Sequence, residues 1–119
     1  LMIAAALRAS LMEGLCKATG DDRTTQDEAF MVGMFSLLEA LFGQALATII
    51  APLQLAEEIS GALLRHEGKL GTLLTLAEEA EQGPSVVGPT LKQTGIGNEI
   101  WCRTQIEALR WTLQVGRDK

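Results

Sequence analysis

The sequence predicts an all-α fold, a bundle of about five to seven helices without a β-sheet. Apolar residues recur at the three- and four-residue spacing of a helix face, and no stretch alternates apolar with polar residues as a half-buried strand does. Glycine and proline interrupt this pattern often enough to give short loops. With 119 residues, of which 47% are hydrophobic and 21% charged, the chain fits one helical domain over residues 1–119.

The first predicted helix covers residues 2–19 and ends at Gly20, because glycine commonly terminates helices. Glu13 and Lys17 lie on its solvent side. Arg8 points the other way, into the apolar side of the helix. A guanidinium taken out of water requires an acidic partner, so we expect one to face Arg8.

The second predicted helix covers residues 25–42 and begins with a capping box formed by Thr25 and Glu28. Beyond that box it is apolar nearly all round, which is typical of a helix in the middle of a bundle. Its remaining polar side chains are Ser36 and Glu39. We therefore predict that Glu39 is the buried partner of Arg8.

The longest uncharged run of the chain is residues 40–56, which are 17 in number. A membrane-spanning helix needs about 20 mostly apolar residues, and Pro52 interrupts this run, so we predict a core segment and no membrane anchor. Residues 44–51 form a short helix within it. Two further helices follow over residues 56–66 and 69–82, with their glutamates on outward faces.

The last third of the chain is predicted to form a short helix over residues 85–94, a turn over residues 95–98 and a final helix over residues 98–115. The predicted inward stripe of the final helix consists of Cys102, Ile106, Leu109 and Leu113. Trp101 and Ala108 widen this stripe, and Trp111 lies at its far edge.

The composition excludes several kinds of site. His66 is the single histidine, and the two cysteines have no metal-ligand spacing, so we predict neither a metal nor a cofactor. No serine lies in a nucleophile motif, so we predict no catalytic residues and no enzyme activity. A net charge of −5 argues against binding to nucleic acid or to an anionic membrane surface.

Cys16 and Cys102 each lie within a helical pattern, far apart in the sequence. Thiols without motif spacing are typical of small buried side chains in a reducing cytoplasm, and a disulfide between the two stays open as the alternative. The first residues lack the pattern of a signal peptide. We therefore expect a cytoplasmic location.

Five segments, taken in order, resemble a known family. They are Arg8-Ala9 with Glu13; Ala29-Phe30 through Gly33-Met34-Phe35-Ser36 to Leu41; Leu53-Gln54-Leu55 with Glu58-Ile59 and Ala62-Leu63-Leu64; Glu67-Gly68 with Leu70-Gly71 and Leu73-Leu74; and Ala108-Leu109-Arg110-Trp111. Together they resemble the C-terminal half of an HDOD domain, a modified HD-GYP domain of the HD-domain superfamily, in the type attached to EAL domains. The resemblance implies an HD-domain-like helical bundle whose N-terminal part is absent before Leu1.

At the position of the metal-binding His-Asp dyad of active HD proteins, this sequence has Ser36-Leu37. Leucine cannot ligate a metal and a lone serine hydroxyl is a poor ligand. The resemblance therefore implies a non-catalytic bacterial signal-transduction module that mediates regulation or protein–protein interaction. The alternative is a ligand-binding sensor with an inter-helix pocket near Ser36 and Glu39. A residual hydrolase is the third possibility, because the sequence offers too few side chains to bind a catalytic metal.

A module of this kind acts through partners, so we expect a protein partner or a homodimer. The resemblance also implies a link to cyclic-dinucleotide signalling through an EAL domain that this chain lacks. The first helix is the expected uncovered surface, with Leu7 and Leu11 as partner-contacting residues. Trp111 on the last helix is a further candidate.

Overall fold

A computed structural model describes residues 2–117, together with the side chains of residues 3–83 and 87–114. Over this range the chain forms α-helices, one 3-10 turn at Ala51–Leu53 and no strand, which confirms the all-α prediction. The helices are α1 (Met2–Ala18), α2 (Arg23–Phe35), α3 (Leu38–Phe42), α4 (Leu46–Ile50), α5 (Glu57–Arg65), α6 (Gly68–Gln82), α7 (Pro84–Thr94) and α8 (Asn98–Arg117). Leu1, where the domain was expected to be cut, lies outside the described residues.

The centre of the fold is α1, which packs against α2, α6 and α8. A Cβ added to Gly33 of α2 would lie 2.5 Å from the Cα of Ala9, so these two helices touch backbone to backbone. The prediction that α1 is uncovered is therefore wrong. Leu11 is buried and not on a partner surface, and Leu7 is partly buried against the core.

Helix α2 begins earlier and ends earlier than the sequence predicted. Its N-cap is Asp22, whose carboxylate accepts a hydrogen bond from the Thr25 amide at 2.9 Å, so the predicted capping box is wrong. The helix stops at Phe35, and Ser36 and Leu37 form a turn before α3. The predicted helix over residues 25–42 is thus two helices, and α2 is buried on one side and not all round.

The uncharged run over residues 40–56 is mostly exposed, which corrects its prediction as a core segment. Ile50 is its buried residue, whereas Leu41, Phe42 and Leu53 are exposed. Within residues 2–117 no single helix has the length and apolar content to cross a membrane; Arg23–Phe42 and Leu46–Leu53 meet those two criteria together, with a 117° bend between them.

Helix α8 buries only part of the predicted inward arc: Trp101 and Ala108 are buried as predicted, but the predicted stripe is not. Its buried residues are Trp101, Thr104, Ala108 and Thr112, and the predicted inward residues Cys102, Ile106, Leu109 and Leu113 are all exposed. The reason is the close approach of α1, where a Cβ on Gly14 would lie 2.8 Å from the Cγ2 of Thr104. Next to Gly14 the gap between α1 and α8 accepts the small side chains of Thr104 and Ala108, and the larger Ile106 and Leu109 face outward.

Trp111 is partly exposed and packs edge-on against Phe30, with ring centroids 6.0 Å apart and an interplanar angle of 86°. Its edge-on contact is a normal aromatic packing geometry. Both cysteines are free, so the disulfide alternative is wrong. Burial of Cys16 is confirmed and raises its thiol pKa to about 12, whereas Cys102 is exposed.

We predict that Gly33→Ala destabilises the protein by about 1–3 kcal/mol, because the new methyl group meets the backbone of Ala9 and forces α1 away from α2. Urea unfolding followed by circular dichroism measures this change. Gly88→Ala in α7 is the control, since a Cβ there meets nothing within 4 Å. Equal stability of the two variants would show that α1 and α2 are not in backbone contact.

Candidate functional site

The candidate site lies where α2 ends, beside α1 and α6, and is built around Arg8. This arginine is 7% exposed. Its Nε donates to Oε2 of Glu81 at 2.9 Å, and its Nη2 donates to Oε1 of the same carboxylate at 2.6 Å. This two-bonded geometry is the strong form of an arginine–carboxylate pair, and it joins α1 to the end of α6.

Ser36, one half of the Ser36-Leu37 pair, is the second residue that bonds to Arg8, after Glu81. Its hydroxyl accepts a hydrogen bond from Nη1 of Arg8 at 2.9 Å and donates one to the carbonyl oxygen of Gly33 at 2.8 Å. Leu37, the other half, is partly buried in the turn. Both hydrogen-bonding roles of the Ser36 hydroxyl are therefore occupied within the protein.

Glu78 extends the network from Arg8 to His66. Its Oε2 lies 3.9 Å from Nη1 of Arg8, and its Oε1 is 2.8 Å from Nε2 of His66. His66 is the C-cap of α5 and has a left-handed backbone with φ of 54°. Gly71 makes this possible, because a Cβ there would lie 2.2 Å from the His66 carbonyl carbon.

The predicted pair of Arg8 with Glu39 is wrong. Glu39 is exposed, and its Oε1 accepts a hydrogen bond from the amide of Leu46 at 3.0 Å, in the first turn of α4. The physical reason is the turn at Ser36, which starts a new helix and carries Glu39 away from Arg8. The acids that face Arg8 come from α6 instead.

The sequence analysis placed Glu78 and Glu81 on an outward face of their helix and therefore did not identify them as the acidic partners of Arg8. A usable signal was present, because they follow the buried Leu74 by four and seven residues and therefore share its side of the helix. His66 was treated as a residue near the end of a helix, and its partner in α6 cannot be read from local spacing.

A cavity of about 720 Å³ opens beside this network, between the ends of α2 and α5 and the α3–α4 segment. Five polar side chains line it: Ser36, Glu39, Gln44, His66 and Glu78. Leu63 and Leu74 line its apolar part. The structure thus brings together the two residues of the predicted pocket, Ser36 and Glu39, and adds a histidine and a second carboxylate.

Among residues 2–117 there is no group of three or more His, Cys, Asp or Glu side chains arranged to hold a metal ion. The absence of a metal, a cofactor and catalytic residues stays a prediction. The predicted partner residues Leu7 and Leu11 line a second, mainly apolar cavity of about 240 Å³ with Leu109 of α8.

The chain is similar to a curated protein, the cyclic di-GMP phosphodiesterase CdgJ of Vibrio cholerae, with 36% identity over 93 residues. The alignment covers 77% of this chain but 22% of CdgJ, so the chain spans less than a quarter of that relative. No protein-family profile matches the chain. No solved structure matches it either.

We predict that Glu81→Leu destabilises the protein more than Arg8→Met does. Glu81→Leu leaves a buried guanidinium with weaker partners and costs about 2–4 kcal/mol. Arg8→Met leaves a carboxylate that is 45% exposed and can be hydrated, so its cost is about 1–2 kcal/mol. Urea unfolding of both variants measures the difference.

The double variant Arg8→Met/Glu81→Leu is the control, and it should be more stable than Glu81→Leu alone because no unpaired charge remains buried. A larger cost for Arg8→Met than for Glu81→Leu would contradict the assignment of Arg8 as the buried member of the pair.

Proposed function

We propose that this chain is a non-catalytic module of a bacterial signal-transduction protein, which mediates regulation through protein–protein interaction. Its similarity to a cyclic di-GMP phosphodiesterase supports a signalling context. Its resemblance to the C-terminal half of an HDOD domain supports the module class. The catalytic step of such a protein would lie in another domain, and the location we propose is the cytoplasm.

The main support for the proposal is the set of contacts made by Ser36, the residue that the resemblance aligns with the HD dyad. The guanidinium of Arg8 stands 2.9 Å from the Ser36 hydroxyl, which is already engaged in two hydrogen bonds. A permanent positive charge at this distance opposes a divalent cation in the same place. The arrangement suits a structural joint between helices, and it supports an HD-type scaffold that works without a metal.

The interaction role has its own support in the uncharged run over residues 40–56. Leu41, Phe42 and Leu53 are exposed there, beside alanines and without a charged side chain in the run. When exposed apolar side chains form a contiguous surface, that surface often marks an interaction site. We infer that this surface contacts another domain or protein in the signalling assembly.

We predict that Phe42→Glu in the intact protein that carries this chain uncouples signalling, and that the cellular cyclic di-GMP level then shifts from the wild-type value by about twofold or more. A charge on this surface opposes burial against a partner. Leu64→Glu on α5 is the matched control, since Leu64 is also exposed but lies outside the run.

Two results would count against this proposal. One is a cyclic di-GMP level that does not respond to Phe42→Glu although the variant protein is folded and present in equal amount. The other is metal-dependent phosphodiester hydrolysis by the purified chain that is lost in Ser36→Ala, which would restore the hydrolase alternative.

A second candidate function, a ligand-binding sensor, is favoured by the cavity of about 720 Å³ beside Ser36. Its size suits a small molecule. Glu39 and Glu78 give it two carboxylates, so a ligand with a cationic or hydrogen-bond-donating group fits better than an anionic dinucleotide.

For the sensor, we predict that a small polyamine such as spermidine binds at this cavity and that Glu78→Gln weakens binding by about tenfold, because one carboxylate is lost. Isothermal titration calorimetry measures both affinities. Glu99→Gln on α8, which removes the same charge from an exposed position, is the control. Equal weakening by the two variants would mean that the amine responds to overall charge and not to this cavity.

A further inference from the structure

The exposed side of α8 carries apolar residues at a regular spacing. Ile106, Leu109 and Leu113 are 57%, 48% and 55% exposed, and Cys102 is exposed as well. These four residues follow one another at intervals of four, three and four. We call them the α8 seam. Such spacing is the a/d repeat of helices that pair along their length, and here nothing within residues 2–117 covers it.

We propose that the α8 seam is an interface with a second copy of this chain, in which two α8 helices lie side by side and parallel. The inference deepens the proposed interaction role and rests on it for its place in signalling. A parallel two-fold arrangement puts each seam residue against its own copy, and one surface therefore serves both subunits.

The residue types favour two parallel strands. Ile106 and Leu113 occupy a positions and Cys102 and Leu109 occupy d positions, and a β-branched residue at a with leucine at d is typical of parallel dimers. Leu109 would then contact Leu109 of the second copy, and Ile106 would contact Ile106. The seam extends over about two heptads.

The charges beside the seam also favour this direction. Arg103 and Arg110 lie at e positions, where an antiparallel pair would bring Arg103 of one copy close to Arg110 of the other. In a parallel pair each arginine faces a g position, and these are Asn98 and Gln105, which are uncharged and can accept a hydrogen bond.

Glu99 lies three residues before Cys102 and would be the next residue of the α8 seam toward the start of the helix. Its charge limits how far the contact between the two helices extends. In the parallel pair, two carboxylates meet there and repel each other, so contact begins at Cys102. A seam of four residues covers less than the roughly 800 Å² per partner of a standard interface. We therefore expect a dissociation constant in the micromolar range or weaker.

The test is sedimentation velocity of the purified chain over a range of concentrations. The wild-type chain should pass from monomer to dimer, and Leu109→Glu should weaken the dimer by about tenfold or more. Glu99→Leu should tighten it, because it removes the repelling carboxylates and extends the seam. Leu64→Glu, an equivalent change at an exposed leucine of α5, should leave it unchanged.

Cys102 reports the direction of the helices. In the parallel pair the two Cys102 thiols lie next to each other, so mild oxidation with diamide should give a disulfide-linked dimer in the wild type and in Cys16→Ser, and none in Cys102→Ser. The cross-linking rate should fall in Leu109→Glu, which circular dichroism must show to be folded.

A chain that stays monomeric at all concentrations, or a dimer that Leu109→Glu leaves intact, would overturn the interface. A dimer that Leu109→Glu disrupts but that does not cross-link through Cys102 would overturn the parallel arrangement. None of these results bears on the response of cyclic di-GMP to Phe42→Glu, so failure of the dimer and failure of the proposed function are distinguishable.

Discussion

The backbone contact between α1 and α2 is the constraint on which the rest of the structure depends. Because a Cβ on Gly33 would lie 2.5 Å from the Cα of Ala9, the two helices come as close as backbone atoms permit. Arg8, the neighbour of Ala9, is thereby carried to the end of α2. The guanidinium reaches the Ser36 hydroxyl at 2.9 Å as a direct consequence of this approach.

Because the Arg8 guanidinium is buried, α6 must supply the carboxylates that pair with it. Glu81 meets it with two hydrogen bonds, and Glu78 lies close enough to join Arg8 to His66 at the end of α5. Removing the Arg8 guanidinium from water offsets much of its attraction to the two carboxylates, so the network contributes to the register of four helices more than to overall stability. It also places a permanent cation beside Ser36, which supports the structural role that we propose for this site.

Close packing also decides which apolar surfaces stay outside. The narrow gap at Gly14 accepts Thr104 of α8, and so the large apolar side chains Ile106 and Leu109 face away from the core. The uncharged run over residues 40–56 likewise lies outside the helices that enclose α1. At α8, shape has taken precedence over hydrophobicity. The apolar surface left exposed in both places is the surface that we propose for interaction with partners.

The sequence by itself determined the all-α class, most helix positions and the need of Arg8 for an acidic partner, because helical periodicity and the cost of burying a charge are local properties. Ser36 was also recognised as part of the site. The tertiary structure alone decided that this partner is Glu81, which is 73 residues from Arg8 and reaches it through the packing of α6 on α1. It also decided which side of α8 is buried, because the close approach of α1 at Gly14 leaves room for Thr104 and not for Ile106 or Leu109.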